Sequence, residues 1–185
     1  MLLVWIAAGL VGALGLLGLV LWLLGRGLPE GHVMSATLRL ARPPAEVFAV
    51  LADSAGIPSW DKGVDRVERL PDRDGHEARR WTMGRNAMVL VTTRSEPPSL
   101  LVRTIGDEAK MFSGDWTFEI VPDGTGSATT LTEHGRVHVA IPRAMMHYLP
   151  FIADPSLYLR RHLTRLAERF GGTPRIELGR YRAGD

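Results

Sequence analysis

The first 25 positions of the chain form one uninterrupted apolar run. From Met1 to Gly25 there is no charged side chain and no proline, and the first charge is Arg26. Roughly 23 helical residues span about 35 Å, enough to cross about 30 Å of hydrocarbon. Trp5 and Trp22 lie near the two ends of the run, as interfacial tryptophans do. The pattern predicts a transmembrane anchor over residues 1–25, followed by a linker over 26–32.

A cleaved signal peptide is the alternative explanation for this run. Signal peptides have a shorter apolar core of about 7–15 residues, a basic segment before it and a small-residue cleavage site after it. The run is longer and shows neither flanking feature, so an uncleaved, single-pass anchor is favoured. Arg26, Arg39 and Arg42 follow the span. By the positive-inside rule, we expect the rest of the chain in the cytoplasm.

Beyond the anchor, polar and apolar positions alternate with the period of β-strands. Met34–Leu40 predicts a first strand, and Pro43-Pro44 opens a short helix because proline is tolerated in the first turn. Turn residues then recur at roughly ten-residue intervals, which is typical of an antiparallel meander. The predicted strands cover residues 64–70, 77–83, 87–94, 100–105, 115–121 and 128–139.

The hydrophobic period changes from two to about 3.6 near the C-terminus. Asp154 and Pro155 are typical of a helix start, and the following apolar stripe runs to Gly171-Gly172, which ends the helix. Residues 173–185 are predicted to form a flexible tail. One apolar face of a curved sheet needs a cover, which this helix can supply. The chain is therefore predicted to be α+β, with about seven antiparallel strands curved around a long C-terminal helix.

Composition excludes several classes of function. The formal net charge is +2, and acidic residues are interspersed among the arginines, so there is no basic block suited to nucleic acid. The absence of cysteine excludes thiol nucleophiles, disulfides and cysteine-bound zinc. His134 and His138 would lie about 13 Å apart along a strand, too far to share a zinc ion. We therefore expect no metal, no cofactor and no nucleic-acid partner.

Two segments resemble a known superfamily. The first runs from Arg42-Pro43-Pro44-Ala45-Glu46-Val47-Phe48 to Ile57-Pro58-Ser59-Trp60, and the second is Gly126-Ser127-Ala128-Thr129-Thr130-Leu131-Thr132-Glu133. They are similar to the START and birch-pollen-allergen superfamily (SRPBCC), and within it to the polyketide cyclase/dehydrase-like branch. The resemblance covers residues 33–172. It implies a helix-grip fold with a hydrophobic cavity, ligands such as lipids, sterols, polyketides or hormones, and catalysis in a minority of members. It supplies no fixed catalytic motif.

Glu133 is the candidate residue for chemistry. By the period of two it shares a strand face with Leu131 and Gly135. On the concave face, its carboxylate would bind a ligand hydroxyl or act as an acid/base. A bulge near Gly135 would instead turn it towards solvent. Arg79 or Arg85 would pair with Glu133 or with an acidic ligand, unless both lie at strand ends in water.

Ten residues are candidates for contact with a ligand. Aromatic residues on the inner face serve equally well as core, and Trp60 would either guard the cavity mouth or cap the first helix of the domain. The apolar connector 142–154 would be a lid, a membrane-contacting patch or a core-packing segment. The candidates are Trp60, Arg79, Trp81, Met83, Trp116, Phe118, Glu133, Met145, Tyr148 and Leu159.

The leading functional hypothesis is a membrane-anchored protein that binds a hydrophobic small molecule, such as a lipid or a polyketide-like compound, without catalysis. Its partners would be the bilayer and that ligand. One alternative is a cyclase/dehydrase-type enzyme with Glu133 as acid/base. The other is a non-catalytic interaction module of a membrane complex with a filled core.

Overall fold

The computed structural model describes residues 1–106 and 111–184. It begins with helix α1, Leu2–Arg26, whose apolar surface projects away from the rest of the fold. Within it, Val4–Arg26 is long and apolar enough to cross a membrane. Gly27 ends the helix, and the first strand begins four residues later at Gly31. The predicted linker 26–32 is therefore short in the structure, and its last two residues belong to this strand.

Nine strands are found in the described part of the chain, and they form one antiparallel sheet. In sequence they are β1 Gly31–Leu40, β2 Arg66–Arg69, β3 Ala78–Met83, β4 Asn86–Glu96, β5 Leu100–Ile105, β6 Phe112–Asp123, β7 Gly126–Val137, β8 Ile176–Leu178 and β9 Arg182–Ala183. The order across the sheet is β2-β3-β4-β5-β6-β7-β1-β8, and β9 also pairs with β1. The turn predicted at Gly106-Asp107 lies partly outside the described residues.

The helices after α1 are α2 Pro44–Ala52, a 3-10 helix Ser54–Ser59, α3 Ala140–Tyr148 and α4 Leu157–Arg169. Leu159, Leu163 and Leu166 of α4 are fully buried against the inner face of the sheet. Gly171, with a φ of 71°, ends this helix as the sequence predicts. The architecture confirms the predicted α+β fold, in which a curved sheet encloses a long helix.

Two predictions at the C-terminal end are corrected. Helix α4 begins at Leu157, because the Asp154 carboxylate accepts hydrogen bonds from the amide (2.8 Å) and hydroxyl (2.7 Å) of Ser156 in a turn before the helix. The predicted flexible tail contains β8 and β9, which pair with β1. Ile176 also packs against the core, which helps to explain why this segment is ordered.

The segment predicted as an apolar connector contains helix α3. Pro142 is compatible with it because it is the third residue of the helix, where its missing N–H would have no partner. Helix α3 packs against α1. At the contact point, a Cβ on Gly25 would lie 1.9 Å from the carbonyl oxygen of Ala140, so only glycine allows this approach.

Candidate functional site

Four rings follow one another between the inner face of the sheet and α4. The centroids of Trp81 and Trp116 are 6.4 Å apart, and Trp116 stacks on Tyr158 at 4.5 Å. Tyr158 in turn stacks on His162 at 5.8 Å. We call these four residues the aromatic row. The rings pack on one another in the interior of the fold, and Trp81 is tilted by 58° to Trp116.

A buried arginine lies beside the aromatic row. Arg103 of β5 is 1% exposed, and its guanidinium carbon lies 5.4 Å from the Trp81 ring centroid. Its Nη2 donates to the carbonyl of Leu51 (2.6 Å) and to the hydroxyl of Ser54 (2.8 Å), which ties the end of α2 to the sheet. Burial lowers the pKa of Arg103 to about 10. The side chain therefore still carries its positive charge at neutral pH.

Several buried donors around this arginine have no partner among the described residues. They are Nε and Nη1 of Arg103, Nε1 of Trp81 and the hydroxyl of Tyr158. Burial raises the pKa of Tyr158, so its hydroxyl stays protonated and can donate. A buried donor without an acceptor destabilises a fold by about 1–3 kcal/mol. The grouping of these atoms in one region is therefore a feature that requires an explanation.

A cleft of about 210 Å3 reaches Tyr158 from the surface. Its walls come from the loop after the 3-10 helix, the end of β3 and the start of α4, and include Val64, Met83, Leu157 and Arg161. The cross-strand register places Met83 beyond Arg79, at the end of the sheet where α1 joins β1. The cleft thus lies at the α1 end of the domain.

A larger cleft of about 740 Å3 also opens at this end of the sheet, but its chemistry is different. It is lined by polar and charged side chains, including Asp115, His134, Arg136 and Arg182. Asp115, His134 and Arg136 alternate with buried residues on their strands, so they belong to the outer face. No residue of the aromatic row lines this cleft, whereas Tyr158 lines the smaller one, which is therefore the better candidate for access.

Glu133 is held by two donors in the interior. Its Oε1 accepts from Nε2 of His32 and its Oε2 accepts from Nε1 of Trp116, both at 2.9 Å. Pairing between β6 and β7 is continuous, so no bulge reverses the strand parity. Gly135 lies opposite His32, where a Cβ would be 2.4 Å from the imidazole carbon Cε1. Of the two positions that the sequence leaves open for Glu133, the structure has the inward one, and glycine at 135 makes room for its histidine partner.

A second buried carboxylate braces α4. Asp61 accepts from Nδ1 of His162 (2.6 Å), from the amide of Gly63 (2.9 Å) and from Nη1 of Arg165. Burial acts to raise the pKa of Asp61, but the hydrogen bond and charge of His162, together with Gly63 and Arg165, lower it overall. The side chains of Asp61 and His162 are both almost inaccessible. This group fixes one end of the aromatic row.

The structure brings together seven of the ten candidate residues in or against the core. Trp60, Trp81, Trp116, Phe118, Glu133 and Leu159 are buried, and Met83 packs against them while lining the cleft. Trp60 contacts the ring of His162, with centroids 5.2 Å apart. Whether a ligand touches any of these residues remains a prediction.

The other candidates lie elsewhere. Arg79 faces inwards but pairs with Glu77, and Arg85 is exposed in the turn between β3 and β4, so neither is the partner of Glu133. Met145 and Tyr148 are on α3, which packs against α1. The side chain of Tyr148 is 47% exposed. These placements correct the predicted pairing of Glu133 and separate the α3 residues from the aromatic row.

Sequence reasoning missed Arg103, His32, Tyr158, His162 and Asp61. One pattern could have revealed Arg103, because the period of two places it on the same strand face as the buried residues Leu101 and Ile105. His32 could have been found by extending the first strand by two residues. The remaining three depend on contacts across the fold, such as Asp61 with a residue 101 positions away.

Comparison with protein-family models matches residues 32–171 to a family described as "Polyketide cyclase / dehydrase and lipid transport". The chain belongs to this family. The match agrees with the resemblance seen in the sequence. It runs from the second residue of β1 to the end of α4 and so leaves out β8 and β9. Among curated proteins, no relative was found that matches the chain.

Solved structures support the fold. A START superfamily protein from Mycobacterium smegmatis has a TM-score of 0.60 and 16% identity, over 75% of this chain and 96% of that chain. The Zhui aromatase/cyclase from Streptomyces sp. R1128 has a TM-score of 0.56 and 18% identity, over 77% and 99% of the two chains. A Thermobifida fusca protein has a TM-score of 0.56 and 20% identity, over 75% and 93%. At these identities the likeness establishes the fold and leaves the ligand undetermined.

Proposed function

We propose that this family member is a membrane-anchored protein that binds a hydrophobic small molecule, a lipid or a polyketide-like compound, between the sheet and α4. The observation that carries the proposal is the group of buried donors without partners on Arg103, Trp81 and Tyr158. A ligand group with several acceptor sites, such as a carboxylate, would offer partners to them. This would offset a desolvation cost of about 1–3 kcal/mol for each donor.

The interior also suggests the chemistry of the ligand. The aromatic row would give a ring system or an acyl chain apolar aromatic neighbours. The cationic Arg103 favours a carboxylate, a phenolate or a carbonyl over a cationic group. We therefore propose a ligand with an extended apolar body and one oxygen-bearing acceptor group, which the hydroxyl of Tyr158 helps to orient.

The path of such a ligand would pass through the cleft at Met83 and Leu157. The cleft, at about 210 Å3, is smaller than typical ligand pockets of about 300–1,000 Å3. Side chains at its walls would therefore move when a ligand enters. Methionine suits this position because its flexible side chain packs against irregular shapes.

The proposed anchor is α1. Arg26 at its C-terminal end lies over the Trp22 ring, 4.7 Å from the centroid, a pairing suited to the membrane–water boundary. The basic residue on this side supports a cytoplasmic position for the domain. A ligand dissolved in the bilayer would then be available close to the cleft. The anchor would prevent this protein from carrying a ligand over long distances.

Catalysis with Glu133 as acid/base is the alternative. The geometry gives it less support, because both carboxylate oxygens already accept hydrogen bonds from protein donors. That arrangement suits a residue that positions Trp116 and His32. Turnover of a polyketide-like substrate that disappears in Glu133→Gln, while the variant keeps its fold, would favour the enzyme.

Native mass spectrometry of the full chain, released from mild detergent, tests the proposal. We expect a discrete adduct of lipid or polyketide size on the purified protein. If none is found, thermal-shift measurements with a fatty acid, a sterol and an aromatic polyketide follow. A clean protein mass together with no shift for any of the three would contradict the binding proposal and favour the interaction module.

Tyr158→Phe sharpens this experiment. It removes one hydroxyl that has no partner, so stability should be unchanged or slightly higher. Retention of the adduct should fall, by about tenfold in affinity if one hydrogen bond of about 1.4 kcal/mol is lost. Tyr181→Phe is the matched control, because its ring stacks on His32, away from the aromatic row. Equal retention by both variants would remove Tyr158 from the site.

A further inference from the structure

Only one face of α1 is covered by the domain. Gly18 and Leu21 are partly buried and Gly25 is fully buried, and their spacing of three and four residues places them on one side of the helix. Helix α3 supplies this cover, with Ala140 at the level of Gly25. A Cβ at Gly18 would meet nothing within 4 Å, so the cover runs from Gly25 to Leu21, about 6 Å along the helix axis at 1.5 Å per residue. It therefore extends about one turn back into the apolar run.

The surface of α3 and the turn after it is apolar. Phe151 is 80% exposed, Ile152 is 61% exposed and Tyr148 is 47% exposed. Between Val139 and Ala153 there is no acidic residue, and the basic residues are Arg143 and His147. A contiguous exposed patch of this kind marks an interaction surface. We call residues 140–152 the α3 segment.

The charge of Arg143 is withdrawn from that surface. Its guanidinium donates to the carbonyls of Val137 (3.0 Å), His138 (3.2 Å) and Leu28 (2.8 Å) and to the carboxylate of Glu30 (3.0 Å). Four hydrogen bonds therefore hold the arginine inside the junction of α1, β7 and α3. An unpaired charge is unfavourable in or near a bilayer, and the ion pair with Glu30 removes that cost for Arg143.

From these observations we infer that the α3 segment is a second membrane-inserted element, which lies in the bilayer beside the last turns of α1. The inference rests on the membrane anchor of the proposed function. Because α3 packs against α1 over about 6 Å of an apolar helix, an α1 that spans the bilayer brings the α3 segment to it. Phe151 and Ile152 then contact acyl chains, and Tyr148 lies at the boundary, where tyrosine is enriched.

The chain has no cysteine, so single cysteines can carry a nitroxide spin label in an otherwise native background. Full-length protein is reconstituted in vesicles of phosphatidylcholine and phosphatidylglycerol. The label is placed at Phe151→Cys and, as controls, at Val11→Cys in α1 and Val121→Cys near the opposite end of the sheet. All three native side chains are more than half exposed, which limits effects on folding. Collision rates with oxygen, which concentrates in lipid, and with a water-soluble nickel chelate are measured.

We expect the nickel collision rate at Phe151 to fall to the level at Val11, while the oxygen rate rises above that at Val121. A Phe151 label as accessible to nickel as the Val121 label, with Val11 protected, would overturn this inference and leave the anchor intact. A label shielded from both reagents would indicate a protein partner, including a second copy, and would also overturn it. Nickel access at Val11 as well would overturn the anchor and this inference together.

Discussion

Asp61 allows the packing of α4 to be tested directly. Its carboxylate contacts His162, Arg165 and the amide of Gly63, and it is almost inaccessible to solvent. Removing one partner of a buried ion pair costs about 3–5 kcal/mol. We therefore expect Asp61→Ala to lose about 3–5 kcal/mol of unfolding free energy. For a chain of this size, this corresponds to a fall in Tm of about 6–20 °C.

The same site predicts a dependence on pH. The pKa of Asp61 is lowered in the folded protein, so the group contributes stability that is fully present above the ordinary carboxyl pKa of about 3.9. This contribution is lost as the pH falls below that value and through the lowered one. Asp61→Asn keeps the shape but has no carboxylate. The stability gap between wild type and Asp61→Asn should therefore narrow as the pH falls from 5 to about 3.

Thermal unfolding of the full chain in detergent, followed by tryptophan fluorescence and near-UV circular dichroism, measures both effects. Trp60 is a suitable reporter because its ring packs against His162. Asp72→Ala is the matched control. It breaks an exposed pair with Arg69 (2.7 Å), which should be worth at most about 1 kcal/mol. A loss of less than about 1 kcal/mol in Asp61→Ala would refute the assignment of Asp61 as the brace of α4.

Three further substitutions test other contacts. Gly135→Ala should displace His32 from Glu133 and cost about 2–3 kcal/mol in chemical denaturation; an unchanged midpoint would contradict the close fit. Leu163→Ala, at a fully buried position, should cost about 2–5 kcal/mol in the same assay, and a smaller loss would mean that the core collapses around the gap. Gly25→Ala should lower Tm by forcing α1 from α3, whereas Gly12→Ala, with open space around it, should not; equal effects would refute the contact.

The sheet was largely predictable because its information is local. Alternation of polar and apolar residues places β5 at Leu100–Ile105 with no error, and it places Glu133 on the same strand face as Leu131, although it leaves open whether that face points inwards. Continuous pairing of β6 and β7 preserves that parity through Gly135. The backbone of a strand points successive side chains to opposite faces, so the sequence of one strand is enough to predict which of its side chains share a face.

The polar interior was harder to predict because its partners are far apart in sequence. Arg103 sits at an inward position by parity, yet an arginine in a strand is ordinarily expected to reach solvent. Its burial depends on the end of α2, which supplies acceptors about 50 residues away. Helix α3 was missed for a different reason: Pro142 and Pro150 suggest a broken connector, although proline fits the first turn and the residues after a helix.

The junction around Arg143 leaves little freedom between α1 and the sheet. The side chain of Glu30 accepts a hydrogen bond from Arg143, and its backbone carbonyl accepts one from the amide of Val137. Two positions earlier, the carbonyl of Leu28 accepts a hydrogen bond from the same arginine. Any rotation of α1 about its axis must break these bonds or carry β1 with it. In the proposed anchored state, α1 would therefore act as a lever as well as a tether. A change in bilayer thickness that tilts α1 would be transmitted to β1, and so to His32 and the interior that it borders.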